Sequence, residues 1–131
     1  MLTYDESKAV IREAFLASPE LVALVGDRIY PSRDEMGENP QGDSITLGRE
    51  GGGYSANNVS DDAQVKVDIW SRRGNDGLWE IYNIVRQIMH SLPSQNAAVF
   101  YCRETYVNDN LYEEKLKLSH LASRYKFIKR R

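Results

Sequence analysis

One cysteine, two histidines and four prolines are spread over 131 residues, and each scarcity closes off a class of chemistry. A lone Cys102 excludes an internal disulfide. With only His90 and His120 beside it, no spacing supplies the three or four ligands that a zinc site needs. No run approaches the roughly 18 apolar residues of a membrane span. The start, Met1-Leu2-Thr3-Tyr4-Asp5-Glu6, lacks the basic and apolar regions of a signal peptide, so synthesis in the cytoplasm is expected. The glycines of Gly48-Arg49-Glu50-Gly51-Gly52-Gly53 are followed by no Gly-Lys-Ser/Thr, which excludes a phosphate-binding loop; their value is conformational, as a hairpin tip. Asp61, Asp62 and Asp68 lack the fixed oxygen-ligand spacing of a calcium loop. Cys102 paired with a histidine would make a nucleophile and base, and an enzyme of that kind predicts a low thiol pKa. Among tyrosine and phenylalanine neighbours, however, Cys102 reads as a small core residue. No catalytic, metal or cofactor constellation emerges.

What is present is an ordinary globular composition, 41% hydrophobic and 27% charged, in a length that fits a single domain over 1–131 and buries roughly two-thirds of its unfolded surface. The net charge is only −2, yet the charges are segregated. Asp27, Asp34, Glu35, Glu38, Asp43, Glu50, Asp61 and Asp62 face three bases, Arg28, Arg33 and Arg49, within one segment. From Lys115 to Arg131 the charged residues are Lys115, Lys117, Arg124, Lys126, Lys129, Arg130 and Arg131, all basic. Such polarity can draw copies of one chain together, acidic face to basic face; two solvated surface regions would carry the same pattern.

Periodicity organises the rest. Thr3 and Glu6 fit a capping box for a helix running to about Ala17, with Val10, Ile11, Ala14 and Phe15 on one face. Ser18 and Pro19 start a second, short helix that Gly26 ends. Arg28-Ile29-Tyr30 reads as a strand stopped by Pro31. From about 32 to 62 a long mobile loop region is expected, with only Ser44–Leu47 strand-like. In Ala63–Ser71, Val65, Val67 and Ile69 alternate with Lys66, Asp68 and Trp70, the period of a half-buried strand. Asn75 or Asp76 caps the clearest helix, striped by Leu78, Ile81, Tyr82, Val85, Ile88, Met89 and Leu92 and ended by Pro93. Ala98–Val107 and Leu118–Ile128 read as further strands, separated by a turn at Asn108-Asp109-Asn110. The predicted fold class is α+β, a largely antiparallel sheet with helices packed on one face.

Leu21–Pro31, Val65–Ser71, the helix Leu78–Leu92 and the strand around His120–Phe127, in this order and spacing, resemble the tail-completion or tail-terminator proteins of long-tailed bacteriophages, including the tail-to-head joining proteins. The resemblance implies a structural virion or prophage protein, not an enzyme, with no cofactor. It implies a hexameric ring that caps the tail tube and joins it to the head connector. Its partners would be further copies of the chain, the tail tube protein, the head-connector or stopper protein, and DNA passing through the channel without specific binding; no membrane is implied. Its place would be the tail-head junction of the virion. On that reading Asp34, Glu35, Glu38, Asp43, Glu50, Asp61 and Asp62 contact neighbouring subunits or line the channel, where repulsion lets DNA slide. Arg124, Lys126, Lys129, Arg130 and Arg131 would meet an acidic edge of the next subunit. The alternative is a small nucleic-acid-binding protein using the basic C-terminal strand, in which cations interleave with aromatics; a charge-guarded edge strand has the same look.

Overall fold

The computed structural model describes residues 4–37, 42–54, 60–96, 99–114 and 117–130. Helix α1 (Tyr4–Leu16) is followed by α2 (Pro19–Val25), the two-residue strand β1 (Ile29–Tyr30), the one-turn α3 (Arg33–Met36), β2 (Ser44–Tyr54), β3 (Ser60–Ser71), the long α4 (Gly74–Gln95), β4 (Val99–Glu113) and β5 (Leu118–Arg130). One sheet runs in the order β1-β2-β3-β5-β4. β1 lies parallel to β2, and every other pairing is antiparallel. This is the α+β class expected from the pattern.

Ile11 and Phe15 of α1, and Leu21 and Val25 of α2, each stand four residues apart and are fully buried. That spacing puts both members of each pair on one helical face. The Ser18 hydroxyl accepts from the Leu21 amide at 3.3 Å. Pro19 occupies the first turn, where its missing N–H costs nothing. The chain leaves α2 at Gly26, whose φ of +60° is open to glycine at little cost.

In α4 the stripe Leu78, Ile81, Tyr82, Val85, Met89 and Leu92 is buried, with Ile88 packed beside it. It meets Val65, Val67 and Ile69 of β3 and Leu121 and Tyr125 of β5 in one core cluster. Each large side chain so buried contributes roughly 1.5–3 kcal/mol. Gly77 lets the first turn of α4 approach the end of β3, since a Cβ there would collide with the Ser71 side chain.

Several boundaries depart from expectation. Part of the segment expected to be a long loop is ordered structure: α3, β2 as far as Tyr54, and β3 from Ser60. β2 passes through Gly51-Gly52-Gly53 because β3 supplies its ladder partners, Gln64, Ala63 and Asp62. Backbone bonding does not require side chains. A register shift between Arg49 and Gly51 marks a bulge at Glu50. Arg73, not Asn75 or Asp76, takes the N-cap position of α4, without a side-chain cap bond. Pro93 lies inside the last turn, and the helix continues to Gln95 before the Asn96 amide bonds Leu92 O at 2.9 Å. A proline there forfeits a single amide donor while the packed stripe holds the turn. Asn108-Asp109-Asn110 does turn locally, the Asn108 side chain accepting from the Asn110 amide at 2.9 Å. The result is a register shift within β4 rather than its end. Thr3, the expected cap of α1, lies outside the described residues.

Candidate interaction surfaces

Alternation along the strands gives the sheet two unlike faces. Odd-numbered Val65, Val67 and Ile69 turn to α1, α2 and α4, while even-numbered Lys66, Asp68 and Trp70 turn away. On the second face the register sets Thr46 beside Asp68 beside Ala122, and Ser44 beside Trp70 beside His120. His120 Nε2 lies 2.7 Å from Asp68 Oδ1. The His120 ring stacks on Trp70 with centroids 3.9 Å apart and planes within 7°. Trp70 Nε1–H donates to Thr46 Oγ1 at 3.0 Å, and the Arg33 guanidinium sits 5.2 Å from the indole centroid. Met36 of α3, Trp70, Leu118 and Tyr30 form a second, smaller apolar cluster there. No spacing in the sequence gives His120 a partner. Its partner is 52 residues away, and the shared even parity of Asp68 and His120 on two predicted strands was the available signal.

On the helical side, Tyr82 Oη–H donates to the Glu104 carboxylate. Tyr125 Oη lies 3.5 Å from that carboxylate and Arg86 Nε 3.6 Å from it. Burial, then the bond to Glu104, pushes the Tyr82 phenol well above its ordinary range. Burial does the same to Tyr125. Cys102 is buried and its thiol is pushed up to about 12 by burial. A nucleophilic cysteine needs the opposite shift.

The segregated charges come together in a way the sequence did not suggest. Within the same chain, β3 lies beside β5, so Asp61 stands opposite Lys129 and Asp62 opposite Ile128, with Ser60 opposite Arg130. The acidic and basic segments are therefore cross-strand neighbours. Asp43 is also engaged: its carboxylate accepts from Arg73 at 2.7 Å, and Arg73 reaches Glu80 at 2.8 Å. The bonds to Glu80 and Asp43 raise the Arg73 pKa further above its usual value. Asp34 and Glu35 are exposed on α3, where the Ser32 hydroxyl accepts from the Glu35 amide at 3.4 Å. Glu50 stands at the β2 bulge. Arg124 and Lys126 lie on β5, with the Arg124 guanidinium 4.7 Å from the Tyr106 ring centroid. Glu38 and Arg131 lie outside the described residues. Among the described residues, no three His, Cys, Asp or Glu side chains gather as a metal site, and no helix is long and apolar enough to cross a membrane.

The arrangement is that of an α+β domain: an open sheet with α1, α2 and α4 closing one face and the short α3 packed at Trp70 on the other. The chain belongs to the family described as Tail completion protein gp17, whose family model matches residues 9–128. It is accordingly a phage structural protein of the tail-completion type and not an enzyme. Among solved structures it is similar to a chain from the "Virion of native gene transfer agent (GTA) particle", with a TM-score of 0.72 at 13% identity, covering 98% of this chain and 100% of that one. At that identity the likeness is one of fold. None of the curated proteins compared matches the chain.

Proposed function

We propose that this protein assembles as a hexameric ring that caps the tail tube and joins it to the head connector at the tail-head junction, leaving a channel for DNA. The family match across residues 9–128 carries this reading. Further support is the close fit in fold, over nearly the full length of both chains, to a component of an assembled virion particle. The partners are further copies of the chain, the tail tube protein and the connector or stopper protein. Asp34 and Glu35 on α3 are exposed carboxylates of the acidic segment and are assigned to contact with a neighbouring subunit. Glu50 and Asp62 are assigned the same role from their places on the β2–β3 arm.

The test is molar mass by light scattering from low to high protein concentration, alone and with purified tail tubes. A closed oligomer, or binding confined to tube ends, is expected. A chain that stays monomeric and ignores tubes at every concentration would sink the ring reading.

A further inference from the structure

A strand at the edge of a sheet carries a row of backbone N–H and C=O groups with no ladder partner, and proteins ordinarily blunt it with lysine, proline, bulges or a covering element. This sheet ends in β2 with its short neighbour β1 on one side and in β4 on the other. β1 pairs with β2 only at Ile45 and Thr46, so among the described residues no strand lies outside residues 47–54 of β2. β4, 15 residues long, pairs with β5 alone among the described strands. Neither β2 nor β4 contains a lysine or a proline. The sheet's lysines stand on the inner strands instead, Lys66 on β3 and Lys126 and Lys129 on β5. Three register shifts roughen β4, but its residues 101–104 pair without a break with 125–128. On β2 the outer edge runs through Gly51-Gly52-Gly53, where the lack of side chains lets a second backbone come close.

We propose that these two edges pair with each other: β4 of one copy adds to the outer side of β2 on the next, so that one antiparallel sheet runs through successive subunits. Direction is the first support. β2, β3, β5 and β4 are each antiparallel to the next, so β2 and β4 run opposite ways. A second copy generated by rotation about an axis along the strands therefore brings an antiparallel β2 to β4, and the alternation continues. Row position is the second support. Gly51 pairs with Gln64, Gln64 with Lys126, and Lys126 with Arg103, so Gly51 and Arg103 are the two ends of one row. In the same way Gly53, Asp62, Ile128 and Tyr101 share a row. A closed ring has no rise along its axis, so each row continues at its own level: Arg103 of one copy meets Gly51 of the next, and Tyr101 meets Gly53. Such a contact uses different patches on the two subunits and leaves neither edge open once the ring closes. Main-chain hydrogen bonds supply its affinity. A two-fold pairing of β4 with a second β4 would instead stop at a dimer and leave residues 47–54 uncovered. The proposal deepens the ring reading and rests on it for the axis.

The test is disulfide trapping in the full chain, with Cys102→Ala as background, at rising protein concentration and on purified tail tubes. Gly51→Cys with Arg103→Cys should give cross-linked multimers on oxidation, because directly opposed residues of antiparallel strands lie roughly 4.5–5.5 Å apart at Cα, within reach of a disulfide. Gly53→Cys with Tyr101→Cys is a second, independent pair with the same expectation. Gly52→Cys with Arg103→Cys should stay unlinked. Gly52 pairs with Ala63, on the face that α1, α2 and α4 cover, whereas Arg103 shares the opposite face with Lys126. The proposal is overturned if neither expected pair links, alone or on tubes, or if the Gly52 pair links as readily. It is equally overturned if Arg103→Cys by itself joins copies two by two, which would mark a two-fold β4 contact. Tube capping is scored separately. Chains that cap tubes without forming either link remove this assignment alone, whereas linked chains that grow as open filaments and cap nothing remove the ring reading alone.

Discussion

The two faces of the same sheet obey different rules. On the face toward α1, α2 and α4, Val65, Val67 and Ile69 of β3 are fully buried aliphatics, and their partners include residues of three helices and β5. On the opposite face the intervening residues are Lys66, Asp68 and Trp70, held by a histidine, a threonine and an arginine from three other elements. One face is set by non-directional burial. The other depends on directional bonds between residues far apart in the chain. A closed face of this kind should govern stability, and the open face should govern what the protein touches.

That contrast can be broken from either side. The largest loss should follow Phe15→Ala, which empties a fully buried site between α1 and the rest of the core; denaturant unfolding should register roughly 3–5 kcal/mol. Removing the best-satisfied carboxylate of the open face should cost less. Asp68→Ala strands the His120 ring nitrogen it contacts and should cost roughly 1–3 kcal/mol. Adding His120→Ala to that variant should then cost less than it does alone, the two residues being directly coupled.

A third probe uses pH and returns to the closed face. The Cys102 thiol titrates ordinarily at 9.0 but is pushed up to about 12 in the fold, so the folded state keeps a proton that the unfolded chain releases. This contribution to stability is intact below about pH 9 and is lost as pH rises toward 12, by at most about 1.4 kcal/mol per pH unit. Tyr82 and Tyr125, both raised by burial, act in the same direction. Cys102→Ala should therefore flatten, without abolishing, the alkaline fall in the thermal midpoint. The smallest stability effect should come from the open face. Arg103→Gln, at an exposed side chain of β4, is expected to stay within about 0.5 kcal/mol of wild type, and a larger loss in thermal unfolding would show that the open face carries stability as well.

Much of the architecture could be read before any coordinates. The stripe of α4 and the alternation of Val65, Val67 and Ile69 announce their own period, because one buried face imposes it on the local sequence. Ser18 and Pro19 mark the start of α2 by equally local chemistry. Where reading failed, the deciding partner was distant. Gly51-Gly52-Gly53 looks like a loop until β3 is laid beside it. Asn108–Asn110 looks like the end of a strand until β5 carries the pairing past it. The charge segments were visible as composition, but nothing local showed that Asp61 would face Lys129 across the sheet.

What the sequence determined by itself was therefore the set of elements, the apolar side of each and the absence of a cysteine or histidine framework. These depend on spacings of two to four residues, over which backbone geometry alone dictates which side chains share a face. Only the tertiary structure decided the strand order, the meeting of Asp68 with His120, and the pairing of the acidic and basic segments as neighbouring strands. Each of those is a matter of register between strands far apart in the chain, and register is settled by how a whole face buries itself, not by the residues that come to lie opposite one another.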